Sequence, residues 1–199
     1  MKWKILIPVV LSAVLLSACG AQGQGSTLDT ENSTQSATSS TQSTQEQGGI
    51  LSSFSAEDLE GNEIDQSILE GHKLTMVNVW ATFCSPCIKE MPELGELSAE
   101  YQEKGVQIVG LVSDVLDREG NLDEGQMDTA KEIVETTQAD YLHIVPRESL
   151  FGLLAQITSV PTTFFVDETG KQVGYTYLGS KDKEAWTEII EETLQEVTG

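Results

Sequence analysis

Leu74-Thr75-Met76-Val77-Asn78-Val79-Trp80-Ala81-Thr82-Phe83-Cys84-Ser85-Pro86-Cys87 decides how the rest of the chain is read. Its first half, Leu74 to Trp80, is a nearly continuous apolar, β-rich run, the pattern of a central strand covered on both faces. It stops at a Cys-x-x-Cys pair, and an amphipathic helical pattern begins immediately afterwards. That order puts Cys84 at the positive end of a helix, where backbone N–H groups and the macrodipole favour a thiolate over a thiol. Two thiols separated by two residues also close readily on each other, so the pair points to thiol–disulfide exchange.

Downstream, a helix is expected over Ser85 to Lys104, with Ile88, Met91, Leu94, Leu97 and Tyr101 on one face. Pro86 suits its first turn, Pro92 should bend it, and Lys104-Gly105 should stop it. Val106 to Val112 reads as a second buried strand. After an acidic, Gly-containing loop from Ser113 to Gln126, the residues Met127, Ala130, Ile133 and Val134 mark another helix. Tyr141 to Val145 is a short strand and Leu150 to Ile157 a short helix. Thr162–Val166 and Gln172–Leu178 are strands joined by the turn Asp167-Glu168-Thr169-Gly170, and Ser180 is the expected N-cap of a last helix. Upstream, Phe54–Ala56 and Asn62–Ile64 flank Glu60-Gly61 as a small hairpin, with a helical stretch around Ser67 to Leu69. Strands alternating with helices indicate an α/β fold, a mixed central sheet with helices on both faces.

Residues 1–19 read as an export signal. Lys2 and Lys4 precede an apolar core, Ile5 to Leu16, too short for a membrane span. Leu16-Ser17-Ala18-Cys19 resembles the bacterial lipobox, which implies lipidation of Cys19 and a membrane anchor. Residues 20–49 are Gln, Ser, Thr, Gly and Ala with scattered acids, a composition that should form a disordered tether. Its r.m.s. reach is about 30 Å on Gly/Ser-linker scaling. The domain proper is expected over 50–199. If Cys19 carries lipid, Cys84 and Cys87 are the remaining thiols. A disulfide across so short a loop removes little chain entropy, which argues for activity over stapling.

The chain carries 32 acidic against 11 basic residues, a net charge of −21. Such a surface is repelled by nucleic acid and by anionic lipid, so no nucleic-acid partner is expected. His72 and His143 have no ligand-like spacing with the cysteines, so no metal site is expected either. The site roles follow from position. Cys84 is the nucleophile, Cys87 one turn on resolves the mixed disulfide, and Pro86 stiffens the turn between them. Val160-Pro161-Thr162 is the second piece, since an X–Pro bond is where a cis peptide costs least. Local sequence alone favours trans; a cis Pro161 facing the dithiol would free the Val160 backbone to pair with a substrate peptide. Gly179, after the last strand, is read either as a small residue lining the site or as a turn glycine.

Asn78-Val79-Trp80-Ala81, Cys84-Ser85-Pro86-Cys87-Ile88-Lys89-Glu90-Met91-Pro92 and Ser159-Val160-Pro161-Thr162-Thr163 together resemble the TlpA/ResA-type membrane-anchored thioredoxins, over about residues 50–197. The resemblance implies a thioredoxin fold with cis Pro161, an N-terminal hairpin and an inserted helix–strand unit at about 115–145. It offers Glu90 as acid/base, since Asn78 stands where cytoplasmic thioredoxins carry a buried Asp. It also implies a substrate surface of Trp80, Phe83, Pro86, Val160 and Pro161, with Phe83 replacing the Trp common before the first cysteine. No cofactor is expected beyond a redox-active Cys84–Cys87 disulfide.

The function expected is an extracytoplasmic, lipid-anchored protein disulfide reductase. The resemblance implies electrons from a transmembrane thiol carrier and exported targets such as apocytochrome c or a methionine sulfoxide reductase. Three other readings compete: a peroxiredoxin-like thiol peroxidase, a disulfide-forming oxidant, and a binding module whose Cys pair is a permanent staple.

Overall fold

The computed structural model describes residues 48–199. The export-signal reading, lipid attachment at Cys19 and nearly all of the expected tether lie outside the described residues.

The order of elements is β1 (Ser55–Asp58), β2 (Glu63–Asp65), a 3-10 turn, β3 (Leu74–Trp80), α1 (Ser85–Tyr101), a second 3-10 turn (Gln102–Lys104), β4 (Val106–Val112), α2 (Glu124–Thr137), β5 (Leu142–Val145), α3 (Glu148–Leu154), β6 (Thr162–Val166), β7 (Gln172–Leu178) and α4 (Lys183–Thr198). One seven-stranded sheet has the order β2-β1-β5-β4-β3-β6-β7. β3, β4 and β5 run parallel, joined by helical crossovers, while β6, β7 and the β1–β2 hairpin pair antiparallel to their neighbours. β3 is central, and all seven of its residues are buried, as a strand covered on both faces requires.

Alternation along β3 divides the core. Val77 and Val79 join Leu111, Ile144 and Phe164 on one face, closed by Leu51, Phe54 and Leu150. Met76 faces the other way, against Leu94, Leu97, Trp186 and Ile190 of α1 and α4. Trp80 packs with Met91, Val112, Ala130 and both cysteines.

Most boundaries match the sequence pattern; α3 runs Glu148–Leu154 where a helix over Leu150 to Ile157 was expected, and three further differences have identifiable reasons. α1 ends at Tyr101 and tightens into a 3-10 turn before Gly105, whose φ of 83° is the left-handed stop anticipated there. α2 starts earlier than its apolar residues suggest because Asp123 caps it, accepting from the Gln126 N–H. The last helix is capped by Asp182, which accepts from the Ala185 N–H, and not by Ser180, which lies in the irregular link between β7 and α4.

Candidate active site

The loop Ala81–Phe83 leaves β3 and turns sharply into α1. The Cys84 N–H donates to the Ala81 carbonyl at 3.0 Å, and Cys84 is the N-cap of the helix, its Sγ accepting from the Cys87 N–H at 3.3 Å. Cys84 and Cys87 are joined by a disulfide with Cα atoms 5.3 Å apart. The two sulfurs are not equivalent: Cys84 keeps 5% of its surface open to solvent and Cys87 none. Around Cys84 the ring of Phe83 is 75% exposed, and Ser85 and Pro86 are exposed as well.

Opposite the dithiol, the Val160–Pro161 peptide is cis. Val160 packs against the apolar cluster that holds Trp80, Cys84 and Cys87. Neither its N–H nor its C=O is engaged by another backbone group. Between Phe83 and this loop runs a groove of about 300 Å³, lined in part by Leu154, Ile157 and Val160. Pro161 itself is buried, and its carbonyl accepts from the Gly179 N–H at 2.9 Å. Gly179 therefore ties the last strand to the Pro161 loop, in a turn with φ of 79°.

Two expected surface residues are placed differently: Pro161, which is buried, and Trp80. Trp80 is fully buried, so it cannot present a face to substrate. Its side chain shares the inner face of β3 with Met76 and Asn78, and its indole N–H donates to Nδ1 of His143 at 3.2 Å. An indole nitrogen only donates, so Nδ1 must be the bare nitrogen of the ring, and Nε2 carries the proton it gives to the Ala139 carbonyl at 3.1 Å. Burial pushes the imidazole down to about 4, against the opposing pull of that Ala139 bond. Gly110 lies directly beside the pair: a Cβ there would stand 2.2 Å from His143 Nδ1.

Glu90, one turn beyond Cys87, is 3% exposed. The Asn78 amide donates to its Oε1 at 3.0 Å and to Thr163 Oγ1 at 3.0 Å. The Lys181 N–H donates to its Oε2 at 3.0 Å, and the Trp186 indole N–H to the same oxygen at 3.4 Å. Burial pushes the carboxyl above its ordinary range; the bonds from Lys181, Asn78 and Trp186 and the Lys181 charge work against it. Asn78, Gly110 and His143 are register partners across β3, β4 and β5, with Thr163 opposite Asn78 on β6. Thr163, Asn78 and His143 thus form a buried polar row across the sheet, broken by Gly110, and Glu90 is bonded to it at Asn78.

The cysteines, Glu90, Phe83, Pro86, Val160 and Pro161 therefore meet at one end of the sheet. Sequence reasoning missed Asp114. Its carboxylate accepts from the Thr82 N–H at 3.0 Å and from the Thr82 hydroxyl at 2.6 Å, while Ser113 donates through N–H and Oγ to the Trp80 carbonyl. The signal was available in the pairing of parallel neighbours. With Trp80 opposite Val112, the residues two steps past each strand, Thr82 and Asp114, fall side by side at the carboxyl ends where such sheets build sites. Among the described residues no group of His, Cys, Asp and Glu has the arrangement of a metal site.

The fold and the dithiol agree with the comparisons. The Redoxin family model matches residues 46–194, and the chain belongs to that family. It is 30% identical over 189 residues, 93% of either chain, to the thiol-disulfide oxidoreductase ResA of Bacillus cereus. Among solved structures, a thioredoxin-family thiol:disulfide interchange protein from Chlorobium tepidum superposes with a TM-score of 0.58 at 23% identity, covering 74% of this chain and 97% of that one. StoA from Bacillus subtilis gives 0.52 at 20% identity, covering 68% and 94%. The chain is a thiol–disulfide oxidoreductase with a thioredoxin fold, on the TlpA/ResA-like branch.

Proposed function

We propose that the protein works outside the cytoplasm, held to the membrane by lipid on Cys19, and reduces disulfides in exported proteins. The observation that carries the reading is the asymmetry of the pair: one cysteine caps a helix start and keeps a little of its surface exposed, the other is fully buried one turn on. In the reduced protein the Cys84 thiolate attacks a substrate disulfide, expelling one substrate sulfur as thiolate and forming a mixed disulfide. Cys87 then gives its proton to Glu90 and attacks Cys84 Sγ. The second substrate sulfur leaves, and the Cys84–Cys87 disulfide remains. Two electrons pass from protein to substrate, and a transmembrane thiol carrier restores the dithiol.

Phe83, Pro86 and the Val160–Pro161 loop form the substrate surface. The free N–H and C=O of Val160 can pair with an extended peptide, and the groove beside Phe83 takes an apolar side chain. Apocytochrome c and a methionine sulfoxide reductase are the exported targets the family resemblance supports. No cofactor beyond the disulfide enters this scheme. A peroxidase reading is disfavoured by Thr82, whose hydroxyl is turned to Asp114.

Replacing Cys87 by Ser should trap exported proteins on Cys84 as mixed disulfides that dithiothreitol releases, and Cys84→Ser should trap none. A redox titration against glutathione sets the direction: a potential below that of the glutathione pool supports reduction, and one near the strongly oxidising end of the thioredoxin range would make the protein an oxidant.

A further inference from the structure

The segment Gly179–Lys181, between β7 and α4, touches both halves of the site. Gly179 donates to the Pro161 carbonyl and Lys181 to Glu90 Oε2, both through main-chain N–H groups. The Lys181 side chain then folds back over aromatic faces. Its Nζ lies 5.5 Å from the centre of the Trp186 ring and 5.7 Å from that of Tyr177, within reach of a cation–π attraction. Trp186 is the residue whose indole N–H reaches the same carboxylate oxygen. Oε2 of Glu90 is therefore met by a backbone amide and an indole N–H, and the Lys181 ammonium lies over the ring of that same indole.

The other groups around Glu90 do not compete for this role. Asn78 of β3, Thr163 of β6 and Trp186 of α4 are neutral, and Cys87 lies one turn back on α1. Tyr141, between α2 and β5, has a buried hydroxyl without a hydrogen-bond partner, and burial together with the Glu90 charge raises it further from ionisation. Lys181 is the cation of the set, and it makes no salt bridge among the described residues.

We propose that Lys181 is a positioning residue for the resolving step: its ammonium, held on Trp186 at the edge of the site, favours the charged form of Glu90 and lets it accept the Cys87 proton at lower pH. This rests on the reading of Glu90 as that acceptor. Replacing Lys181 by Met removes the ammonium and keeps the N–H bond to Oε2, so the charge is tested apart from the hydrogen bond.

The test is stopped-flow reduction of dithiobis(2-nitrobenzoic acid) by the reduced full-length protein across pH. The first nitrothiobenzoate is released by Cys84 attack and the second by Cys87 resolution. Lys181→Met should move the pH midpoint of the second phase upward and slow that phase by about fivefold below the midpoint, an effect of a partly screened charge. The first phase should keep its rate, and Lys181→Arg should restore the second. Glu90→Gln is measured beside it. If Glu90→Gln alters the second phase and Lys181→Met does not, the proposal falls and the reading of Glu90 stands. Should Glu90→Gln leave the second phase unchanged, both fall. A Lys181→Met defect that is equal at every pH and unrepaired by Arg would mean a packing role, which also overturns the proposal.

Discussion

Trp80 donates its indole N–H to Nδ1 of His143 at 3.2 Å, inside the apolar cluster that also holds both cysteines. The bond needs a neutral ring, because a proton on Nδ1 would face the indole N–H directly.

That requirement makes stability depend on pH. His143 is held at about 4 in the folded chain against an ordinary 6.5, so between those values the unfolded chain binds the extra proton. Its contribution is complete above 6.5 and is lost as pH falls toward 4, amounting to about 3 kcal/mol. Glu90 works in the opposite sense: its raised carboxyl stabilises fully below 4.5 and loses that contribution as pH rises through the folded value. His143→Gln isolates the histidine, keeping an acceptor for Trp80 while removing the titration. Urea unfolding near neutrality and at about pH 4.5 should show the wild type losing more stability than the variant. An equal loss in both would refute the assignment.

Gly110→Ala should damage the same place by crowding. The new Cβ would stand 2.2 Å from His143 Nδ1 and 2.9 Å from Trp80 Nε1. A cost of about 3 kcal/mol is expected, at the upper end for overpacking. In a His143→Ala background the ring is gone and the penalty should shrink. A double-mutant cycle in urea that returned strict additivity would show the clash to be elsewhere.

Asp114 should act on Cys84 through the loop that precedes it. Asp114→Ala frees both donors of Thr82 and should cost about 2 kcal/mol, the range for hydrogen bonds to a charged acceptor. Alkylation of reduced Cys84 should slow at neutral pH as the helix start loses its fixed approach, and Asp114→Asn should recover part of the rate. Unchanged labelling of Cys84 in Asp114→Ala would show that the loop holds its shape without the clasp.

Three turns share one device. Asp58, Asp117 and Asp167 each accept from main-chain N–H groups two and four residues on, and Gly61, Gly120 and Gly170 follow at φ of 85°, 84° and 76°. Burial alone would raise Asp58 and Asp167, but the hydrogen bonds outweigh it. In Asp117 the Asn121 N–H leads, and all three carboxyls lie below the ordinary 3.8. Their contribution is present above 3.8 and fades as pH falls through the lower folded values. Asp167→Ala should lower the melting temperature near neutrality, with the gap closing in strong acid. Among the glycines, Gly170→Ala should be far worse than Gly61→Ala. A Cβ at Gly170 meets Leu51 backbone at 2.3 Å, and one at Gly61 meets nothing within 4 Å, leaving only the left-handed strain of about 1 kcal/mol. Equal losses would rule out the packing argument.

Local chemistry made much of this legible. A nearly continuous apolar run from Leu74 to Trp80, followed after three residues by Cys-x-x-Cys, announced the central strand and the helix that follows, and Glu60-Gly61 and Asp167-Glu168-Thr169-Gly170 announced two of the turns. What stayed hidden depends on lateral register. His143 reads as one strand residue among others until β5 is laid beside β4, where it falls opposite Gly110 and within reach of Trp80. Trp80 was assigned to the substrate surface by the family resemblance, whereas its place in a strand covered on both faces buries it. Lys181 lies beyond the last strand with no motif around it, and only the fold brings it to Glu90.

Leu51 is bound at the turn between β6 and β7, its N–H donating to the Gly170 carbonyl at 3.0 Å. Because β6 runs antiparallel to β3, that turn lies at the opposite end of the sheet from Cys84. The chain thus enters its domain about 23 Å, one seven-residue strand, from the reactive sulfur. On the proposed attachment at Cys19, the length of chain before Gly48 would then set how readily Cys84 meets a donor held in the bilayer. Deleting half of the stretch between Cys19 and Gly48 should therefore slow recharging by a membrane-held donor while leaving reaction with a soluble dithiol untouched, as paired assays in vesicles and in solution would reveal.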